Sequence, residues 1–431
     1  MNRSSLPVRS RERARAQRGG RRRSLSNLGG PVEVYGCDDA STRLATIMGG
    51  DMDEDGARSH VHGFHSYPAR MHPTLALRCV ELLSPPDGIV FDPFCGSGTV
   101  LVESRLAARK SYGVDINPLA VMLARVKSQG ATPSQLRMMV SMARAIAESA
   151  DTRRREKRGA SRRYPDEDVQ LFEPHVLLEL DGLREGLRIA QEQESSGQFV
   201  HDALRLVLSS ILVKVSRKAG DSSSAYVPRR LAAGFTILLF EQKAAELAKR
   251  VDSYTKRLPS HAPIAWVQQG DARRLDTIPN ASAHLVLSSP PYVGTYDYAD
   301  HHRLRQRWLG LRTTDTQRMQ RDEVGARRHI KTMQRDDVVY LFQEDLTNVL
   351  RAASAKLLPN GKVALLIADS VVGGEPVWVE PLVRRCGQQA GFTWLATASQ
   401  GRPHFHGSSK HAFDKRPRKE HLILLAMEGA P

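Results

Sequence analysis

The chain has 431 residues, 41% of them apolar, and a formal charge of +16. That length allows a large core and more than one module, and no apolar run approaches the roughly 20 residues of a membrane-spanning helix. The charge favours a polyanionic partner. Cys37, Cys79, Cys95 and Cys386 lack CxxC spacing, which speaks against a zinc site or disulfide frame and for a reducing cytoplasm.

Residues 1–56 read as a basic, disordered tail. Nine of the first 23 residues are arginine, against one acid, Glu12. Such a block is disordered alone and can scan nucleic acid through phosphate contacts.

Residues 57–128 begin an alternating strand and helix pattern. His65-Ser66-Tyr67-Pro68-Ala69-Arg70-Met71-His72-Pro73 leads into an amphipathic helix at 74–83, with Pro73 suited to its first position. An apolar run at 88–91 then enters Asp92-Pro93-Phe94-Cys95-Gly96-Ser97-Gly98-Thr99, and a helix follows over 100–110. A second strand at 111–115 ends on Asp115, and Asn117-Pro118 opens a helix to about 127. This is the start of a parallel sheet with crossover helices.

Residues 129–262 change character. Apolar residues recur at helical spacing in 136–150, 176–190, 204–215 and 231–258. Basic blocks at 153–158, 162–163, 217–218 and 229–230 mark this helical insertion as a candidate DNA-recognition region.

The sheet pattern resumes over 263–431. A strand at 264–268 ends at Gly270-Asp271, and one at 284–288 ends at Ser289-Pro290-Pro291-Tyr292. A helix at 337–356, a buried strand at 362–367 and a final antiparallel pair at 392–398 and 421–427 follow. Between that pair lies a loop, 400–420, whose basic residues are phosphate-contact candidates.

Strand, glycine turn and helix can hold a small zwitterion. Gly96 and Gly98 permit positive φ and close approach, and the following helix aims N–H groups at an anion. A dinucleotide fingerprint needs a third small residue after Gly98, and a P-loop needs GK[ST]; neither is present. Asp92 suits an ammonium group better than a pyrophosphate. A ligand with amine, carboxylate and ribose fits, and S-adenosylmethionine is one. On this reading Asp92 receives the amine, N–H groups near Gly96, Ser97, Gly98 and Thr99 receive the carboxylate, Asp115 takes the ribose hydroxyls, and Asp271 reaches the adenine amine.

Ser289-Pro290-Pro291-Tyr292 suits the other reactant. An exocyclic base amine becomes nucleophilic as its nitrogen moves toward tetrahedral geometry, and acceptors at its two hydrogens favour that change. The Ser289 hydroxyl and Pro290 carbonyl are such acceptors. The Pro-Pro pair stiffens the loop, and Tyr292 offers a stacking face. A base in a duplex must flip out to reach it. Tyr296, Asp297, Tyr298, Asp300, His301 and His302 line the base pocket, contact the displaced strand or begin a helix; they lack metal spacing, and this chemistry needs no metal.

Residues 91–99 with 289–292 resemble the amino-methyltransferases of DNA modification, which act on cytosine N4 or adenine N6. Residues 65–73 resemble the segment that lies against the cofactor in that family, which adds Tyr67 and, from the turn, Phe94 to the cofactor set. The resemblance covers about 60–128 and 263–431. It implies a Rossmann-like α/β fold with a mostly parallel seven-stranded sheet, S-adenosylmethionine as cofactor, DNA as substrate and a cognate restriction enzyme as partner. Ser289 before Pro-Pro-Tyr leans toward cytosine N4. Adenine N6, an RNA amine, and a non-catalytic nucleic-acid binder stay open. The glycine motif precedes Pro-Pro-Tyr here, the reverse of many Ser-type members.

Overall fold

The computed structural model describes residues 29–193, 197–220, 225–402 and 411–428. Among these, eight strands form one sheet: β1 (Gly29–Gly36), β2 (Ile89–Asp92), β3 (Lys110–Asp115), β4 (Ala265–Gln269), β5 (Ala283–Ser288), β6 (Leu357–Ala368), β9 (Phe392–Gly401) and β10 (Lys419–Met427). A separate hairpin holds β7 (Ser370–Val372) and β8 (Glu375–Val377). The spatial order is β1-β9-β10-β6-β5-β2-β3-β4. β2 pairs in parallel with β3 and with β5, β3 with β4, and β5 with β6. β10, β9 and β1 join antiparallel. The chain winds outward from β2 to β4, then returns to place β5 on the other side of β2. Ligands of open α/β sheets bind beside such a reversal, at the carboxyl ends of the strands.

The expected α/β Rossmann-like sheet is present, with two corrections. It has eight strands, because β1 adds an edge beyond the expected seven. And the tail does not run to residue 56. Gly36, at φ +124°, ends β1 where an added Cβ would lie 2.3 Å from the Leu395 carbonyl oxygen. Helix α1 (Asp38–Met48) follows and buries Leu44, Ile47 and Met48 against Ala396, Ala398, Leu422 and Leu424. The arginine density of 1–23 sets the expectation of disorder, but Ala40, Leu44, Ile47 and Met48 recur at helical spacing and bury a stripe. Residues 1–28 lie outside the described residues.

Helix α2 (Glu54–Ala57) and the bend at 58–72 lead to α3 (Pro73–Leu83). The crossovers after β2 and β3 are α4 (Thr99–Leu106) and α5 (Pro118–Gln129). Between β3 and β4 come α6 (Pro133–Arg155), α7 (Asp166–Leu171), α8 (Pro174–Glu192), α9 (Gly197–Val215) and α10 (Phe235–Thr255). Thr132 and Gln135 form a capping box at the start of α6, with Pro133 at the first helical position. The remaining helices are α11 (Tyr298–Trp308), α12 (Thr313–Asp322), α13 (Arg335–Ser354) and α14 (Val379–Gln389).

The helices at 133–255 share one apolar core with α5: Leu123, Val126, Met139, Leu180, Leu204 and Leu247 are all buried in it. Trp308, from the C-terminus of α11, is fully buried there too. Its ring lies 5.2 Å from that of Tyr164 and meets Phe172 edge-on at 5.5 Å. Two of the four basic blocks of this region are paired with acids within the fold. Arg154 and Arg155 meet Asp151, Arg158 meets Glu156, Arg153 lies 3.5 Å from Asp181, and Arg217 lies 2.9 Å from Glu173.

Trp308 is thus a pin between the segment after β5 and the helical insertion. Trp308→Ala is expected to lower unfolding free energy by about 3–5 kcal/mol; denaturant titration of the two proteins measures it.

Candidate functional site

The parallel pairing of Phe91 with Val286 brings the tips of β2 and β5 side by side. Asp92 ends β2 and Ser288 ends β5. The buried Ser288 hydroxyl donates to Asp92 Oδ1 at 2.6 Å, and the Phe94 N–H donates to the same oxygen at 3.1 Å. Both glycines of the turn have positive φ, +48° at Gly96 and +83° at Gly98. At Gly98 a Cβ would lie 2.8 Å from Ala124 Cα, so the turn seats on α5 only without a side chain. Tyr67 covers Gly96, 3.1 Å from where its Cβ would be.

Asp115 ends β3 and holds the turn. Its Oδ2 accepts the Gly96 N–H and its Oδ1 the Asn117 N–H, each at 2.9 Å. Tyr67 lies in a ring stack, 5.1 Å from His302 and 6.2 Å from Tyr298. His302 is fully buried, so it belongs to this stack and not to a surface for displaced DNA. Glu323, itself buried, caps α11 by accepting the Tyr298 N–H at 2.6 Å.

These elements line a cavity that opens to solvent, about 850 Å³ with the solvent at its mouth included. Of the expected cofactor set, Tyr67, Asp92, Phe94, Gly96, Ser97, Thr99, Asp115 and Asp271 line it; Gly98 does not, since it faces α5. Ser289 and Pro291 line it from the β5 side. Pro290 lines neither this cavity nor its neighbour. Tyr292 is buried, donates its hydroxyl to Glu420 at 2.9 Å and lines a second, much narrower recess. Ala69, Arg70 and Ser289 line both cavities.

Three expected contacts differ in detail. The Gly96 and Gly98 N–H groups are taken internally, by Asp115 and by the Cys95 carbonyl at 2.7 Å. Beside them, Ser97 Oγ and Thr99 Oγ1 are buried without a hydrogen-bond partner. The Asp271 carboxylate is gripped by Arg273, whose Nε and a terminal nitrogen reach it at 3.0 and 2.8 Å. Burial pushes Asp271 up, but Arg273 holds it below the ordinary carboxylate range.

Arg70, Met319, Asp322 and Val324 also line the cavity and carry no motif. Only Arg70 had a signal, its place in the 65–73 segment. Of the basic loop at 400–420, residues 403–410 lie outside the described residues. Arg402 pairs with Glu420, Lys419 with Glu33, and Arg416 lies over the Trp378 ring. These described cations are engaged within the fold.

A family model described as DNA methylase matches residues 47–125. The type II methyltransferase M.MvaI of Kocuria varians is 25% identical over 274 residues, 59% of this chain and 58% of that protein. M.MjaII of Methanocaldococcus jannaschii is 36% identical over 78 residues, and M.ScaI of Streptomyces caespitosus 32% identical over 66. The chain is similar to these DNA methyltransferases, and its residues 47–125 match the DNA methylase family. It spans less than two thirds of those relatives: 58%, 15% and 22% of their lengths.

S-adenosylmethionine is the cofactor of this family, and the cavity fits it. The two unpartnered hydroxyls, Ser97 Oγ and Thr99 Oγ1, suit a carboxylate. The cationic end needs a carboxylate, and Asp92 is at hand. Burial raises the Asp92 carboxyl to about 7 against the hydrogen bonds from Ser288 and Phe94, and raises Asp115 to about 6.

These raised values have a sign. The folded, ligand-free protein holds protons on Asp92 and Asp115 that the unfolded chain releases near pH 4, so their contribution to stability falls as pH rises from about 4 to 7. A cationic ligand reverses this, because it favours the carboxylate form. S-adenosylmethionine affinity, measured by calorimetry, is expected to rise by up to about tenfold per pH unit toward pH 7 and then level. Asp92→Asn should flatten most of that rise.

Proposed function

We propose that this chain moves a methyl group from S-adenosylmethionine to the exocyclic amine of a base flipped out of DNA, with cytosine N4 preferred. The observation that carries the reading is the place of Ser289. It lines the cofactor cavity and also the adjoining cavity that holds Tyr292. A base amine in the smaller cavity and a methyl donor in the larger one would meet at that residue.

Bound S-adenosylmethionine supplies an electrophilic methyl group. The chain's residues do the rest. Asp92, Ser97, Thr99 and Asp115 hold the donor. Ser289 Oγ accepts one amine hydrogen and favours the tetrahedral nitrogen as positive charge develops; the second acceptor, the Pro290 carbonyl, is assigned from the Ser-Pro-Pro-Tyr pattern, since Pro290 lines neither cavity. Pro290 and Pro291 keep that pair of acceptors stiff. Tyr292, tied to Glu420, forms the wall against which the base lies. Ser289 is neutral, so the methylated amine loses its proton to solvent after transfer.

The lean to cytosine N4 rests on Ser289 in place of an acid or amide before Pro-Pro-Tyr. The helical insertion is then the region that selects the sequence, and a cognate restriction enzyme the partner.

The test is transfer of labelled methyl groups to duplex DNA, followed by nucleoside analysis. N4-methylcytosine is the expected product; N6-methyladenine would reverse the preference, and label only in RNA would replace the substrate. Ser289→Ala should lower turnover by about 10²–10³-fold with little change in cofactor affinity. Asp92→Asn should act mainly on cofactor affinity. Equal labelling by wild type and both variants would reject these roles.

A further inference from the structure

Beside the cofactor cavity lies a wide, open groove of about 1590 Å³, which neither motif accounts for. Three elements wall it. The turn after β4 contributes Arg273 and Arg274, α12 contributes Arg318 and Arg321, and α13 contributes Asn348 and Arg351. Asp271 and Asp322 line both this groove and the cofactor cavity, so the two spaces adjoin. Helix α12 separates them: Met319, nearly fully buried, lines the cavity, while Arg318 and Arg321 line the groove.

The charge balance of the groove is uneven. Arg273 is consumed by Asp271 and Asp345, at 2.8 and 2.7 Å. Arg321 takes Asp322 at 2.8 Å, and Arg318 reaches the same carboxylate only at 3.8 Å. Arg274 and Arg351 are exposed and have no carboxylate partner among the described residues; Arg351 reaches only Asn348 Oδ1 and the Gln389 carbonyl, each at 3.3 Å. This contrasts with the 153–158 and 217–218 blocks of the helical insertion, which carry their own acids.

We propose that this groove is a docking track for the phosphate backbone of duplex DNA. Guanidinium groups spread over three elements and facing an open space suit an extended polyanion, since planar forks meet successive phosphates. A small anion would need a closed site, and the groove is open. The contacts would read no sequence; they would set the position of the duplex relative to the adjoining cavity. Because the track lies on the outer side of α12, a docked backbone would rest against the wall of the cofactor cavity. The inference rests on DNA as the substrate, as proposed above.

The experiment measures the affinity of the full chain for two duplexes of unrelated sequence across a salt series. It compares wild type with Arg274→Ala/Arg351→Ala and with Arg274→Lys/Arg351→Lys. Loss of two phosphate contacts should lower the slope of log affinity against log salt by about 2. Affinity should fall by about tenfold or more for both duplexes, and the lysine pair should restore most of the slope. Unchanged S-adenosylmethionine affinity in calorimetry verifies that the alanine pair is folded. An unchanged slope would overturn the track, as would a loss confined to one sequence. If wild type methylates DNA and the slope does not move, the groove alone is wrong. If wild type neither binds nor methylates DNA, the substrate is wrong as well.

Discussion

One hydrogen bond joins the two halves of the site: the Ser288 hydroxyl to Asp92 Oδ1, 2.6 Å long and buried. It is possible only because β2 and β5 are parallel neighbours at the point where the sheet reverses its winding. The residues involved are 196 apart in the chain. A parallel sheet puts the carboxyl ends of its strands on one edge, so the glycine turn after β2 and the Pro-Pro loop after β5 must emerge together. Remove that adjacency and no cavity is shared by Asp92 and Ser289.

The same adjacency sets the electrostatics. Asp92 and Asp115 are both held where water is scarce, and neither has a cationic side chain bonded to its carboxyl. Their hydrogen bonds come from Ser288 and from backbone N–H groups, which only partly offset desolvation. Asp271, at the end of the next strand, differs. Arg273 satisfies it, and Arg273 is in turn tied to Asp345 on α13. Three acids at three strand ends therefore divide into two with no cationic partner at their carboxyls and one that Arg273 holds.

The additions to the sheet have separate physical roles. The helical insertion shares its core with α5 and receives Trp308 from the segment that follows the Pro-Pro loop. Position of the loop and integrity of the insertion are thereby coupled through packing. At the other edge, β1 and α1 cover β9 and part of one face of the sheet. β1 and β4 are the two edges of the sheet, and at β4 Ile264, just before it, and Trp266, within it, are exposed.

Local pattern carried much of this protein. Apolar runs bounded by turn residues marked β2, β3, β5 and β6; helical periodicity marked the insertion; and the acids and glycines of 91–99 marked a ligand turn, because those residues act through their own backbone geometry. What pattern could not hold is pairwise placement. Nothing around Ser288 signals that its hydroxyl meets Asp92, nothing around Asp271 that Arg273 takes it, and nothing in the scattered Arg274, Arg318 and Arg351 that they line one groove. The arginine-rich start even hid the apolar stripe of α1. Periodicity along a chain reports which face a residue shows, whereas which residues meet across the fold depends on strand order and helix packing, and those arise only when distant segments bury one another.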